Sequence, residues 1–351
     1  MKILLLGATG FIGPHVARML AQQGHDLAIF SRSASSADLP EAAEHIAGDR
    51  QNLADYRDAF RRFAPEVVVD FILSSGRQAK ASMDCFRGTA KRIVALSSGD
   101  VYRACGILHG TESGPLQATP LTESSELRTN SSVYGPETLE RVRAFYPWLD
   151  DEYDKIPVER AILADPRLPG TVLRLPMVYG PGDPAHRLFS YLKHMDDNRP
   201  AILLQEDAAW WRGPRGYVEN VAAAIALAAV SPAAAGRVYN VAEPAAYAEL
   251  QWVRAIGHAA KWLGSVIPLP IELTPPHLRV PFNNAQHWDM SSQRIREELG
   301  FHEPIDESIA LNRTIVWERA HAPQPDPKLF DYAAEDETLR KLRAKLGAVL
   351  A

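Results

Sequence analysis

Residues 2–20, "KILLLGATGFIGPHVARML", constrain the fold more than any other part of the chain: an apolar run meets three glycines, then an amphipathic segment. A strand, a glycine turn and a helix in that order let the main chain bend tightly and approach a pyrophosphate. The phosphate would sit at the helix N-terminus, where unpaired N–H groups and the positive end of the dipole await it. On this reading Gly7 makes the turn, Gly10 permits close approach and Gly13 lets helix and strand pack. Pro14 suits the first helical turn, where a missing N–H costs nothing. Placed between a buried strand and a helix, the glycines point to a dinucleotide site rather than a merely structural turn.

Strand and helix patterns alternate through the first half. Apolar runs at 2–7, 26–30, 44–49, 66–72, 92–98 and 171–180 predict strands, with helices near 12–23, 52–63 and 77–90. The runs are continuous in Val, Ile and Leu, as expected when helices cover both faces of a parallel sheet, so the fold expected is a doubly wound α/β sheet. Beyond residue 100 comes a polar stretch, 103–132, and then a helix from about 137 interrupted at Pro147. We expect a dinucleotide-binding domain over 1–184, with 217–241 returning to it, and a smaller substrate-binding lobe from 185–216 and 242–320. The remainder, 321–351, is a Pro-rich linker and a helix with Leu339, Leu342, Leu346 and Val349 on one face, suited to docking on its own body or a sister subunit.

The charge balance narrows the partners. Net charge is −5 and no Lys/Arg run is long enough to track a phosphate backbone, so nucleic acid is not expected. Cys85 and Cys105 lack a CxxC spacing and are expected to be reduced, buried thiols of a cytoplasmic protein. The opening apolar run breaks at Gly7, Thr9 and Gly10 without the layout of a signal peptide. "VAAAIALAAV" (221–230) falls short of the roughly 20 residues that span a bilayer, so no membrane is expected. No cluster with metal-ligand spacing is visible, His186 and His194 standing eight apart without carboxylate partners at ligand spacing.

"GATGFIG" has GxxGxxG spacing and resembles the extended short-chain dehydrogenase/reductase superfamily, whose NAD(P)-dependent epimerases, dehydratases and reductases act on sugar nucleotides and related compounds. "VALSSGDVY" (94–102), "PLTESSEL" (120–127), "LRLPMVYGPGDP" (173–184), "VYNVAEP" (238–244) and "WDMSSQRIREELGF" (288–301) extend the resemblance over roughly residues 1–318. It implies cofactor contacts at Gly7, Thr9, Gly10, Phe11, Ile12 and Gly13, at Asp49 beside the adenine, and at Leu73, Pro176 and Val178 around the nicotinamide. Where an acidic residue would select NAD, the second strand ends in Ser31-Arg32-Ser33. Hydroxyls and a guanidinium suit a 2′-phosphate, so NADP is the expected cofactor, with NAD possible. Arg50 is expected over the adenine or at the same phosphate.

The resemblance also implies a Ser and a Tyr at the reacting oxygen and a Lys four residues after the Tyr. That cation helps a phenol, which titrates near pH 10, to act as a base. Ser98 falls at the serine position, with Ser97 as its neighbour. Tyr153 aligns with the tyrosine, but Pro157 stands where the Lys is expected, making this an atypical member. A helix beginning or kinked at Pro157 would leave Lys155 in an extended lead-in, able to replace the lysine. Tyr134, in "SSVYGPET", is a rival with Thr138 at the fourth position.

Tyr102, Tyr134, Arg212 and Arg215 are candidate substrate contacts, the arginines as a clamp for a diphosphate or carboxylate. Trp210 and Trp211 could stack on a sugar or base, or simply pack between lobes. The stretch 103–152 suits a lid or pocket wall, with His109 alone on its surface. Two functions remain open. One is an NAD(P)-dependent epimerase/dehydratase or reductase acting on a sugar nucleotide or similar polar small molecule, plausibly a homodimer. The other, favoured by Pro157, is a catalytically degenerate dinucleotide-binding protein serving as a redox sensor or RNA-binding regulator.

Overall fold

Seven parallel strands form the central sheet of the computed structural model, which describes residues 1–32, 39–131, 133–146 and 148–349. In chain order the strands are β1 (Lys2–Leu6), β2 (Asp26–Ser31), β3 (Glu44–Ala47), β4 (Val67–Asp70), β5 (Arg92–Ser98), β6 (Gly170–Leu175), β7 (Met177–Tyr179), β8 (Ala201–Gln205), β9 (Arg215–Tyr217), β10 (Val238–Asn240) and β11 (Ser265–Leu269). The sheet order is β3-β2-β1-β4-β5-β6-β10, a doubly wound arrangement that reverses direction between β1 and β4. Side chains on β1 alternate between two cores. Ile3 and Leu5 pack with Val16, Ala17 and Leu20 beneath the helix Val218–Val230, whereas Leu4 and Leu6 pack with Phe60, Met83, Phe86 and Ile162. Burial on both faces is why the strands are uninterrupted apolar runs.

Three expected elements differ. The helix near 52–63 is a 3₁₀ turn, Arg50–Tyr56, leading into a helix at Arg57–Phe63; Asp49 bonds the Gln51 amide at its start, and Asn52 has non-helical angles. The strand 171–180 is split at Pro176, whose missing N–H cannot continue a ladder, so β6 stays in the main sheet and β7 pairs with β9. The helix expected to start or kink at Pro157 starts earlier, at Lys155, capped by the Asp154 carboxylate on the Ile156 amide at 3.0 Å. Pro157 is its third residue, where no intrahelical donor is needed. Its ring packs on the helix Gly76–Phe86 so closely that a Cβ on Gly76 would lie 2.8 Å from it.

The last helix, Tyr332–Val349, docks on the chain's own body: Leu339 is buried with Ala201, Leu203 and Leu269. His194 and His277 both meet its Glu335, each at 3.2 Å. His186 likewise has a carboxylate partner, Glu318, at 2.8 Å. Cys85 and Cys105 are buried and unpaired. Among the described residues no helix is long and apolar enough to cross a membrane.

Candidate active site

All strands of the main sheet point their C-terminal ends at one edge, and the crevice of such a sheet lies there, where its order reverses. The glycine loop leaves β1 at that edge. Gly7 has φ +78°, which a side chain would strain, and a Cβ on Gly13 would come within 2.3 Å of the Ala8 carbonyl oxygen. Beside Gly10 there is open space for at least 4 Å. Ile12 occupies the N-cap position of the helix Gly13–Gln22 and no side chain caps it, so the first amides face outward from the loop after Thr9. A pyrophosphate fits this cradle. Gly182, in the turn after β7, lies against the Phe11 ring, closing the cradle from the β6–β7 side that carries Pro176 and Val178.

Next to the cradle, Arg32 is exposed at the end of β2, and the Ser31 hydroxyl lies 3.0 Å from His45 Nε2. Ser33 lies outside the described residues. The Asp49 carboxylate sits partly buried at its 3₁₀ turn. Arg50 departs from expectation: it donates to Asp70 at 2.7 Å and to Ser82 at 3.1 Å beneath the sheet edge. Asp70 is fully buried and would be an uncompensated charge without it, so this guanidinium is committed to the interior.

At the ends of β4 and β5 lies the second part of the site. Ser97 donates to the buried Glu159 at 2.6 Å, and Glu159 is held by Arg174. Ser98, on the opposite side of the strand, caps the next turn by accepting from the Asp100 amide at 3.2 Å. Ser97 is thus spent in the core while Ser98 stands at the crevice. Tyr153 donates to Asp100 Oδ2 at 2.6 Å, and Tyr134 to the same oxygen at 3.2 Å; their rings stack 6.3 Å apart. Burial, and then the Asp100 charge, push both phenols well above the usual tyrosine range. Lys155 is buried, its Nζ held by the carbonyls of Leu73 and Leu96, and lies 5.9 Å from the Tyr153 ring and 5.4 Å from that of Trp148. Burial pushes its ammonium down to about 8.

The lead-in to Lys155 is stitched to the loop after β4. Ser75 donates to Asp150 at 2.7 Å, and the Asp150 and Asp154 amides bond the Ser74 side chain and carbonyl. That stitching brings Leu73 and Ser98 to Tyr153 and Lys155, more than 50 positions further along the chain. Asp100 was missed by reading the sequence; the only hint is an acidic residue two positions after the serine in "SSGDVY".

Several expected substrate contacts are engaged elsewhere. Tyr102 is fully buried, donating to Asn240 at 2.6 Å and accepting from Arg174 at 2.9 Å, with its phenol pushed up to about 12 mainly by burial. Arg215 pairs with Glu249 and stacks 4.9 Å from the Trp252 ring. Arg212 donates to the Ala246 carbonyl at 2.6 Å. Trp211 packs inward, donating to the Gln286 carbonyl at 3.0 Å, while Trp210 stays exposed. His109 is half-buried, edge-on between Tyr134 and Phe282.

Comparison with known proteins agrees with this geometry. The model of the NAD dependent epimerase/dehydratase family matches residues 3–136 and 152–242. A 2′-dehydrokanamycin reductase of Streptomyces kanamyceticus is 26% identical over 218 residues, covering 60% of this chain and 53% of the reductase; the match thus spans about half of that protein. A 3-diazoavenalumate denitrifying reductase of a Streptomyces species is 26% identical over 288 residues, covering 78% and 86%. Among solved structures, MoeE5 in complex with UDP-glucuronic acid and NAD superposes with a TM-score of 0.63 at 19% identity, over 92% of this chain and all of the other. With the family model covering most of the sheet, its glycine loop and its returning strand, the chain belongs to the NAD dependent epimerase/dehydratase family.

Proposed function

We propose that this protein is an NADP-dependent oxidoreductase that interconverts a secondary alcohol and a carbonyl on a polar, hydroxyl-bearing small molecule. The observation that carries the reading is the convergence of Ser98, Tyr153 and Lys155 at the sheet edge where the glycine loop opens. A nicotinamide bound there would supply or accept the hydride. Gly7, Gly10, Gly13 and the uncapped helix start would hold its pyrophosphate, with Arg32 at the 2′-phosphate. Ser98 would donate to the reacting oxygen, and Tyr153 Oη would exchange the proton with it. Lys155 would stand beside the nicotinamide ribose, anchored by the Leu73 and Leu96 carbonyls. The charge on Lys155 is present at neutral pH and lost as pH rises past about 8.

The substrate is drawn toward sugars without a diphosphate. Of the two arginines that would clamp a sugar nucleotide, the buried Arg215 is committed to Glu249, leaving only the exposed Arg212, which donates once to the Ala246 carbonyl. A relative that reduces 2′-dehydrokanamycin supports the same direction. Titration with NADPH and NADH, followed by quenching of the seven tryptophans, tests the cofactor reading. We expect NADPH to bind more tightly, and Arg32→Ala to weaken NADPH about tenfold while sparing NADH, the equivalent of roughly 1.4 kcal/mol. Equal NADPH affinity in the parent and Arg32→Ala would remove Arg32 from the site.

A further inference from the structure

We propose that Asp100 is the proton partner of Tyr153, so that the acid–base group of this site is a tyrosine–carboxylate pair rather than a phenol working with a lysine. The proposal rests on the functional reading above for its setting and adds a residue to it. Asp100 is fully buried, two positions after Ser98. Its Oδ2 accepts from both Tyr153 and Tyr134, and its Oδ1 is buried with no hydrogen-bond partner among the described residues. A carboxylate has room for about four hydrogen bonds, so a buried one with a bare oxygen has capacity held in reserve.

The surroundings show why the lysine cannot fill this role. Lys155 spends its Nζ on two main-chain carbonyls and makes no hydrogen bond to the phenol. Arg128, the nearest guanidinium, donates to the Asp100 main-chain carbonyl at 3.0 Å and pairs with Asp154. The other titratable neighbours are Cys105, which is buried, and His109, which burial holds below its usual range and so keeps uncharged at neutral pH. The short contact from Tyr153 to Oδ2 thus gives the phenol's proton a single destination.

In the oxidising direction the proton balance closes as follows. The substrate O–H bond breaks and its proton goes to Tyr153 Oη; the proton already on Oη passes along the existing hydrogen bond to Asp100 Oδ2; the hydride leaves carbon for the cofactor, and C–O becomes C=O. Reduction runs both transfers backwards, ending with the carboxylate restored to its charged form. Asp100 does not touch the substrate and acts through Tyr153. Tyr134, on the same oxygen but in a longer contact, steadies the carboxylate.

The test is a spectrophotometric titration of phenol ionisation in the protein without cofactor, comparing the parent with Asp100→Asn, Asp100→Glu and the double variant Asp100→Asn/Tyr153→Phe. Removing the negative charge should bring both phenols that bond Asp100 down, that of Tyr153 by about one pH unit or more. That phenol should vanish in the double variant, and Asp100→Glu should restore the parent curve. NADPH binding is measured on the same samples and should be unchanged, since the cradle lies elsewhere. Should Asp100→Asn fail to fold, Tyr153→Phe and Tyr134→Phe, each with Asp100 intact, give the answer: a phenol displaced upward from the ordinary tyrosine range must disappear with Tyr153. Superimposable curves for the parent and Asp100→Asn, or a displacement that persists unchanged in the double variant and so belongs to Tyr134 alone, would overturn the proposal. If NADPH fails to bind any of these proteins, the functional reading falls while the phenol curves still decide the role of Asp100.

Discussion

The two halves of the crevice share one sheet edge but are made of different material. The cofactor half is main chain: a positive-φ glycine, a glycine packed on the Ala8 carbonyl, and the bare amides of a helix start. The other half is side chain: Ser98, Asp100, Tyr134, Tyr153 and Lys155 come from three separated segments, the first four joined through hydrogen bonds to Asp100 and Lys155 held by the Leu73 and Leu96 carbonyls. A site of main chain is specified by a few consecutive residues, whereas a site of side chains depends on what the rest of the fold delivers. Beneath the second half, the Arg174–Glu159 pair ties β6 to the helix that carries Lys155 and to Ser97.

The largest expected effect strikes that support. Arg174→Met leaves Glu159 charged, buried and unpaired, and should cost about 3–5 kcal/mol of stability by chemical denaturation. Affinity for NADPH, measured on the fraction still folded, should persist, because the glycine cradle does not rest on that pair. Loss of both together would break the distinction between the halves. Within the cradle the glycines should separate: Gly13→Ala, with its Cβ 2.3 Å from a main-chain oxygen, should cost about 2–3 kcal/mol. Gly10→Ala, with nothing within 4 Å, should leave stability nearly unchanged yet weaken NADPH by about tenfold, as its methyl would take space meant for phosphate.

A further comparison tests burial against charge at Glu243, just after β10. Burial pushes the Glu243 carboxyl from 4.5 up to about 7, despite donors from Tyr179 at 3.1 Å and the Tyr217 amide at 3.0 Å. The folded state therefore holds this proton more tightly than the unfolded chain. Its contribution is fully present below pH 4.5 and is lost as pH rises to about 7. Glu243→Gln, neutral throughout, should gain on the parent by about 3 kcal/mol across that window, read from paired unfolding curves; a constant gap would place the carboxyl in a wetter setting.

Reading the chain revealed the doubly wound sheet and the glycine loop, because each rests on local signals: continuous apolar runs and glycine spacing. The reading failed where partners are distant. Arg50 looked like a cofactor ligand until Asp70, 20 residues on, claimed it, and Arg215 looked like a substrate clamp until Glu249 claimed it. Tyr102 looked exposed to substrate but lies under Arg174 and Asn240. Pro157 looked like a break in the helix, whereas the Asp154 cap places it in the first turn, where proline is harmless.

What the sequence alone determined is the part written in consecutive residues, the alternation of strands and helices and the glycine turn that a pyrophosphate requires. Only the tertiary structure decided which arginines are free, which serine faces the crevice, and that a carboxylate two residues past Ser98 holds both tyrosines. Those outcomes depend on long-range pairing of buried charges and donors, and a charge taken out of water must find its partner wherever the fold brings one.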